Sequence, residues 1–175
     1  MKKVIAMLLV LTMAMGLVAC GANKGADSTT TAPQMEMPKS ALEILEKTWA
    51  AYSGEKFFAM GGDMDQLVDN APGKFNIADE GITATLLVPE DQVKNIDEAA
   101  SMVHGMMLNN FTCGAFHVTG DANAFAKVMR DAIAANPWIC GTPEKLVVAV
   151  IGEYVVKNTL RIRCAGFIFL SSLLH

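Results

Sequence analysis

Few side chains in this sequence could do chemistry, and their spacing limits what that chemistry could be. Cys113 and His117 stand four apart in "FTCGAFHV", which reads as a strand. On one strand face, at ~3.3 Å per residue, their Cα atoms lie about 13 Å apart. Zinc holds its ligands at ~2.0–2.3 Å, so joint ligation is not expected. His104 falls on a predicted helix and His175 is the last residue. Asp63, Asp65 and Asp69 invite a calcium loop, but Leu67, Val68 and Lys74 stand where that loop needs an oxygen ligand, Gly and Glu. Asp63 is better read as a helix cap. Twelve Met residues raise the question of copper. Met1, Met7, Met13 and Met15 lie in an N-terminal apolar run, however, and Met35 and Met37 flank Glu36 in a polar stretch. Met102, Met106 and Met107 recur at helical spacing, as core filler does. Asp97 and Glu98 read as a solvated helix face. There is no Ser/His/Asp order, no Gly-rich phosphate loop and no His-Glu-x-x-His. The expectation is no catalytic residue, no metal and no cofactor.

"NPWICGTPEK" shares Trp138, Cys140, Gly141, Pro143 and Lys145 with the Trp-Cys-Gly-Pro-Cys-Lys site of thioredoxins. It has one cysteine where they have two, with Glu144 near the second position. The redox motif opens a helix, whose N-terminus lowers the thiol pKa, whereas Cys140 follows a predicted helix and precedes a strand. A turn with Trp138 packed inward is the expectation, and thiol-redox accessory chemistry at Cys140 is the alternative function. Cys113 and Cys140 could form a disulfide outside the cytoplasm, stabilising by ~3 kcal/mol in the chain-entropy model. Cys113 is equally at home as a small buried hydrophobe.

The most specific signal is N-terminal. "MKK" is a short basic start, "VIAMLLVLTMAM" an apolar run, and "GLVAC" a small-residue boundary, the pattern of a secretory signal. Val4–Ala19 falls short of the ~20 residues of a spanning helix. Leu17-Val18-Ala19-Cys20 resembles the lipobox of bacterial lipoproteins at every position. The resemblance implies recognition of Leu17, Val18 and Ala19 by lipoprotein signal peptidase, cleavage before Cys20 and lipidation of Cys20. Two or three acyl chains, at ~0.8 kcal/mol per buried CH2, would hold the chain firmly to a membrane. Residues 1–19 are thus expected to be the signal peptide. Residues 20–39, rich in Gly, Ala, Ser, Thr and Pro, are expected to be a tether reaching about 25 Å.

The domain itself is expected to span 40–156. Ser40 and Glu43 have capping-box spacing, and Leu42, Leu45, Trp49 and Tyr52 make a helical stripe. "ITATLLV" (82–88) alternates as a strand does. Val93, Ile96, Ala100, Val103 and Met107 make a second helical stripe. Residues 111–118 read as a strand, Asp121 to Asn136 as a capped helix, and "KLVVAVI" (145–151) as a central strand, with "EYVV" as a candidate further short strand. This order points to an α+β fold: a two-layer sandwich with helices on one face of a 3–4 stranded sheet, ferredoxin-like in outline, with a doubly wound α/β fold as the alternative. The layout from Ile82 to Val156 resembles an uncharacterised family of small bacterial lipoproteins. "ITATLLVPEDQV", "CGAFHV" followed at once by a helix, Trp138 and "GEYVV" carry the likeness. None of these is a catalytic motif, so the resemblance implies fold and location and no activity.

Residues 20–156 hold 9 Lys and Arg against 18 Asp and Glu, a balance of −9. An acidic domain repels phosphate backbones, so nucleic acid is not an expected partner. The 157–175 tail is basic and apolar, and reads either as foreign to the domain, as after a frame shift, or as a strand or buried terminal helix. The functional expectation is a non-enzymatic, membrane-anchored lipoprotein facing outside the cytoplasm. It would bind a protein, peptide or cell-wall ligand, and 156 mature residues are few for a two-lobed solute-binding protein.

Overall fold

The computed structural model describes residues 37–106, 111–136 and 143–160. The signal peptide, Cys20 with Leu17, Val18 and Ala19, most of the tether, Trp138, Cys140 and residues 161–175 lie outside them. The chain opens with helix α1 (Ala41–Ala51). Three short strands follow, β1 (Ala59–Gly61), β2 (Val68–Asp69) and β3 (Gly73–Phe75), then one helical turn, α2 (Gly81–Ala84), and a 3-10 helix (Glu90–Asn95). Strands β4 (Ile96–His104) and β5 (Phe111–Val118) come next, then helix α3 (Ala122–Ala135) and the hairpin β6 (Lys145–Ile151) and β7 (Tyr154–Leu160).

The seven strands form one sheet in the order β2-β1-β4-β5-β7-β6, with β3 also paired to β4, and every pairing is antiparallel. The sheet carries helices on both faces. Side chains of α1 pack with Ala100, Met102, Cys113, Ala115 and Val156, while those of α2 and α3 pack with Ala99, Phe116, Val148 and Val155. Successive strand residues point to opposite faces, so these are two cores on two sides. This overturns the expected two-layer sandwich of a 3–4 stranded sheet with helices on one face, and with it the ferredoxin-like outline. The doubly wound alternative fails as well, since it needs parallel strands.

The helical stripe expected from Val93 onward is instead strand β4 over Ile96–His104, entered from the 3-10 helix at Glu90–Asn95. Ala99, Ala100, Ser101 and Met102 are all buried, because cores press on β4 from both sides. A strand buried on both faces shows no alternation. Its small and unbranched residues, good helix formers by themselves, were left to mimic a helical period. The reverse holds at 82–88, expected as a strand. Ile82 and Leu86 are four apart, which fits a period of two or of a helical turn alike. The chain forms a helical turn there, with Leu86 N–H donating to Gly81 O at 2.9 Å.

Several local expectations hold. Ser40 Oγ accepts from Glu43 N–H at 3.0 Å, and Asp121 caps α3 by accepting from Asn123 and Ala124 N–H. Strand β6 forms as expected but lies at an edge of the sheet, not its centre. The β6–β7 turn uses Gly152 at φ 60°, the left-handed backbone such two-residue hairpins need. Strand β7 runs through Leu160, so Lys157–Leu160 belong to the sheet.

Strand and helix make opposite forecasts for Ser101. On the expected helix it would face solvent, whereas in the strand it is 1 % exposed and its Oγ donates to Gly62 O. Ser101→Arg should therefore cost about 3–5 kcal/mol in urea unfolding, the penalty of an unpaired buried charge. A loss under ~0.5 kcal/mol would fit a solvated face instead.

Candidate functional site

Strand β4 exposes one long edge, and two short strands cover it end to end. Strand β1 pairs Gly61 with Met102, and β3 pairs Gly73 with Ser101. The chain leaves the edge at Gly61 and returns at Gly73 on the adjacent position, so residues 62–72 form a pinched loop. The pinch requires glycine: a Cβ on Gly61 would run into Gly73 N and Ala71 O, and one on Gly73 would lie 2.5 Å from Gly62 N. Within the loop, β2 folds back on β1. Asp63, 4 % exposed, organises the rest. Its Oδ1 accepts from Asp65 and Gln66 N–H at 3.0 Å each, and its Oδ2 from Asn76 N–H at 2.8 Å. Asp63 is thus a loop brace rather than the helix cap expected, while Asp65 and Asp69 point to solvent.

This loop, β4 and α2 enclose a groove of about 260 Å³. Met60, Met64, Leu67, Phe75, Val103 and Met106 give it apolar walls, with Ser101 on its floor strand. Met64 and Met106 are 79 % and 81 % exposed, and Phe58, Leu67 and Val68 are exposed nearby in the fold or sequence. Met102, expected as core filler, is core on the α1 side, but Met106 stands on the groove. Apolar side chains held in water around a concavity mark a binding surface.

Two strands in from Ser101, on the same face of the sheet, lies a lysine. In register across the sheet, Ser101 pairs with Gly114 and Gly114 with Lys157. Gly114 leaves a notch, and a Cβ there would meet Phe116 Cζ at 2.8 Å and Lys157 Cε at 3.5 Å. The Lys157 side chain therefore leans from β7 over β5, where the Phe116 ring shares the notch. It is fully buried, and Nζ has no hydrogen-bond partner among the described residues. Burial pushes its pKa down to about 7, only partly opposed by Cys113. Sequence reading placed Lys157 in a basic tail. The missed signal is the alternation of Val155, Lys157 and Thr159 against Tyr154, Val156, Asn158 and Leu160.

A second polar group stands at the far end of the same strands. His117 Nδ1 lies 2.5 Å from Asp97 Oδ1, and its Nε2 lies 3.6 Å from Glu153 Oε2. The hydrogen bond to Asp97 and the nearby Glu153 hold the imidazole pKa above its ordinary value, against some desolvation. Asp97, read from sequence as a solvated helix face, is thus a partner of His117. Glu98 Oε1 instead accepts from Ala41 N–H at the start of α1.

Cys113 is a free, fully buried thiol on the α1 side. Burial raises its pKa to about 12, so it offers no thiolate near neutral pH. Cys140, the candidate disulfide partner, lies outside the described residues. Among the described residues no three His, Cys, Asp or Glu side chains are grouped to hold a metal ion, and no helix is long and apolar enough to cross a membrane. Comparison with protein-family models, curated proteins and solved structures found no match.

Three titrating groups make the stability depend on pH. For Lys157 the folded pKa is about 7, against 10.5 when solvated. Between these values the unfolded chain holds a proton that the folded chain lacks, so stability rises with pH through that window. Cys113 opposes the rise above about pH 9, where its thiolate forms in the unfolded chain alone. Lys157→Met should raise Tm at pH 7 and flatten the gain between pH 7 and 9. His117 acts the other way. Its contribution is complete below about 6.5 and is lost as pH rises through its folded pKa. His117→Gln should therefore lower Tm at pH 5.5 and matter less at pH 8.5.

Proposed function

We propose that this protein is a lipid-anchored extracytoplasmic lipoprotein whose domain is a non-enzymatic binding module. The location rests on Leu17-Val18-Ala19-Cys20 following a basic start and an apolar run. The binding role rests on one structural observation, the apolar groove with Met64 and Met106 held out in water around it. Thioether chains are unbranched and polarizable, so such a surface can mould itself to a small apolar ligand. At about 260 Å³ the groove lies just below the range of drug-sized ligand sites, roughly 300–1,000 Å³. The acidic balance of the domain disfavours nucleic acid as its partner.

Metabolic labelling with palmitate tests the anchor. The wild-type chain should take up label and sediment with membranes, and Cys20→Ala should do neither. Equal labelling of both chains would refute lipidation at this residue.

A further inference from the structure

The charged side chains that line the groove are all of one sign. Asp63 and Asp79 stand on its wall, and among the described residues no Lys, Arg or His does. Neither aspartate makes an ion pair among the described residues. The two flank one residue: Asn76 N–H donates to Asp63 Oδ2 at 2.8 Å, and Asn76 O accepts from Asp79 N–H at 3.0 Å. Asp63 is braced by three backbone N–H groups. Asp79 is less committed: its Oδ1 accepts from Gly81 N–H at 2.6 Å, and its Oδ2 has no hydrogen-bond partner among the described residues. Gly81 leaves this carboxylate uncovered, since a Cβ there would lie 2.8 Å from Asp79 Oδ1 and 2.9 Å from Phe75 Cζ.

The groove is therefore polar at one end and apolar at the other. Phe75 pairs with Ala99 and Gly73 with Ser101, which puts the carboxylates at the Ala99–Ser101 end of the floor strand. Met60 pairs with Val103, and Gly105 and Met106 lie further along. Ser101 and His104 are about 10 Å apart at ~3.3 Å per residue, a span that a six-carbon chain covers.

We propose that the groove takes a small monoamine with an apolar tail, bound as its ammonium ion. The ammonium pairs with Asp79, the Asp63 charge reinforces it, and the tail lies among Met60, Met64, Val103 and Met106. This rests on the groove being the binding site. No covalent bond forms or breaks. Apolar walls strengthen the pairing relative to one in open water, and the acidic balance of the domain draws cations toward it. An apolar tail without a charge would gain only the groove contacts, and a carboxylate in place of the ammonium would meet two like charges.

The test compares hexylamine, hexanol and hexanoate at neutral pH on the intact chain in phosphatidylcholine nanodiscs, with empty nanodiscs as the blank. Binding is read from the methyl resonances of 13C-labelled Met64 and Met106. Hexylamine should bind about tenfold or more tighter than hexanol, the worth of a hydrogen bond to a charged group, and hexanoate should bind weakest. Asp79→Asn should bring hexylamine within about threefold of hexanol, because Asn keeps the oxygen that Gly81 N–H needs and loses only the charge. If the variant fails to fold, a salt series on the wild-type chain carries the test. Raising ionic strength from about 0.01 M to about 1 M shortens the screening length from ~30 Å to ~3 Å and should weaken hexylamine alone. Equal binding of hexylamine and hexanol, or a preference that ignores salt, would overturn the ammonium pairing and leave the groove standing. Silence of both methyl groups with all three ligands would overturn the groove as well. Displacement of hexylamine by a capped lysine-containing peptide of higher affinity would show a peptide site and overturn the proposal.

Discussion

The long open edge of β4 is the constraint on which the other features depend. Every N–H and C=O along a strand buried on both faces must be paired, since no water reaches it. Strand β5 serves one edge. The other edge is served by β1 and β3 in tandem, three residues each, with the chain pinched out between Gly61 and Gly73. The pinch produces the 62–72 loop. The buried Asp63 carboxylate then gathers the loop's N–H groups, and the loop becomes one wall of the groove. A single uninterrupted strand along this edge would have satisfied the backbone equally well and left no groove.

The same sheet shows how small side chains create room for large ones. Gly114 lies between Ser101 and Lys157 on one rung, and the absent Cβ admits both the Phe116 ring and the Lys157 stem. On the opposite face Ala100, Met102, Cys113 and Ala115 accept α1 closely, and Trp49 and Tyr52 cap that core with stacked rings 5.9 Å apart. The α1 face is largely hydrophobic, with Asn158 buried in it. The other is a core over α3 that gives way, toward Ser101, Thr112 and Thr159, to buried polar side chains. The buried amine stands among them.

Local chemistry was legible wherever a short-range hydrogen bond fixes it. Ser40 and Asp121 could be read as caps because a cap involves residues two or three apart. Helix α3 was legible from its cap and apolar stripe, and strands β5 and β6 from their aromatic and β-branched residues. Strand β4 was not, because its burial comes from α1 on one side and α2 with α3 on the other, and a strand pressed from both sides loses the alternation that would announce it. Short β1, β2 and β3 were invisible among Gly, Asp and Asn, since three residues hold no period. The groove followed them out of sight. Lys157 looked like part of a basic tail because charge in a sequence carries no record of depth.

The sequence by itself determined the N-terminal lipobox reading, the acidic balance, the absence of familiar catalytic motifs and the capped helices. Each depends on residue identity or on neighbours a few positions apart. Only the tertiary structure decided that helices cover both faces of a seven-stranded antiparallel sheet. It also decided that Met60, Met64 and Met106 meet around one groove, that Asp97 serves His117, and that a lysine lies buried two strands in from Ser101. Those facts come from pairings between residues tens of positions apart, and the strands that carry them gain their burial from partners rather than from their own pattern.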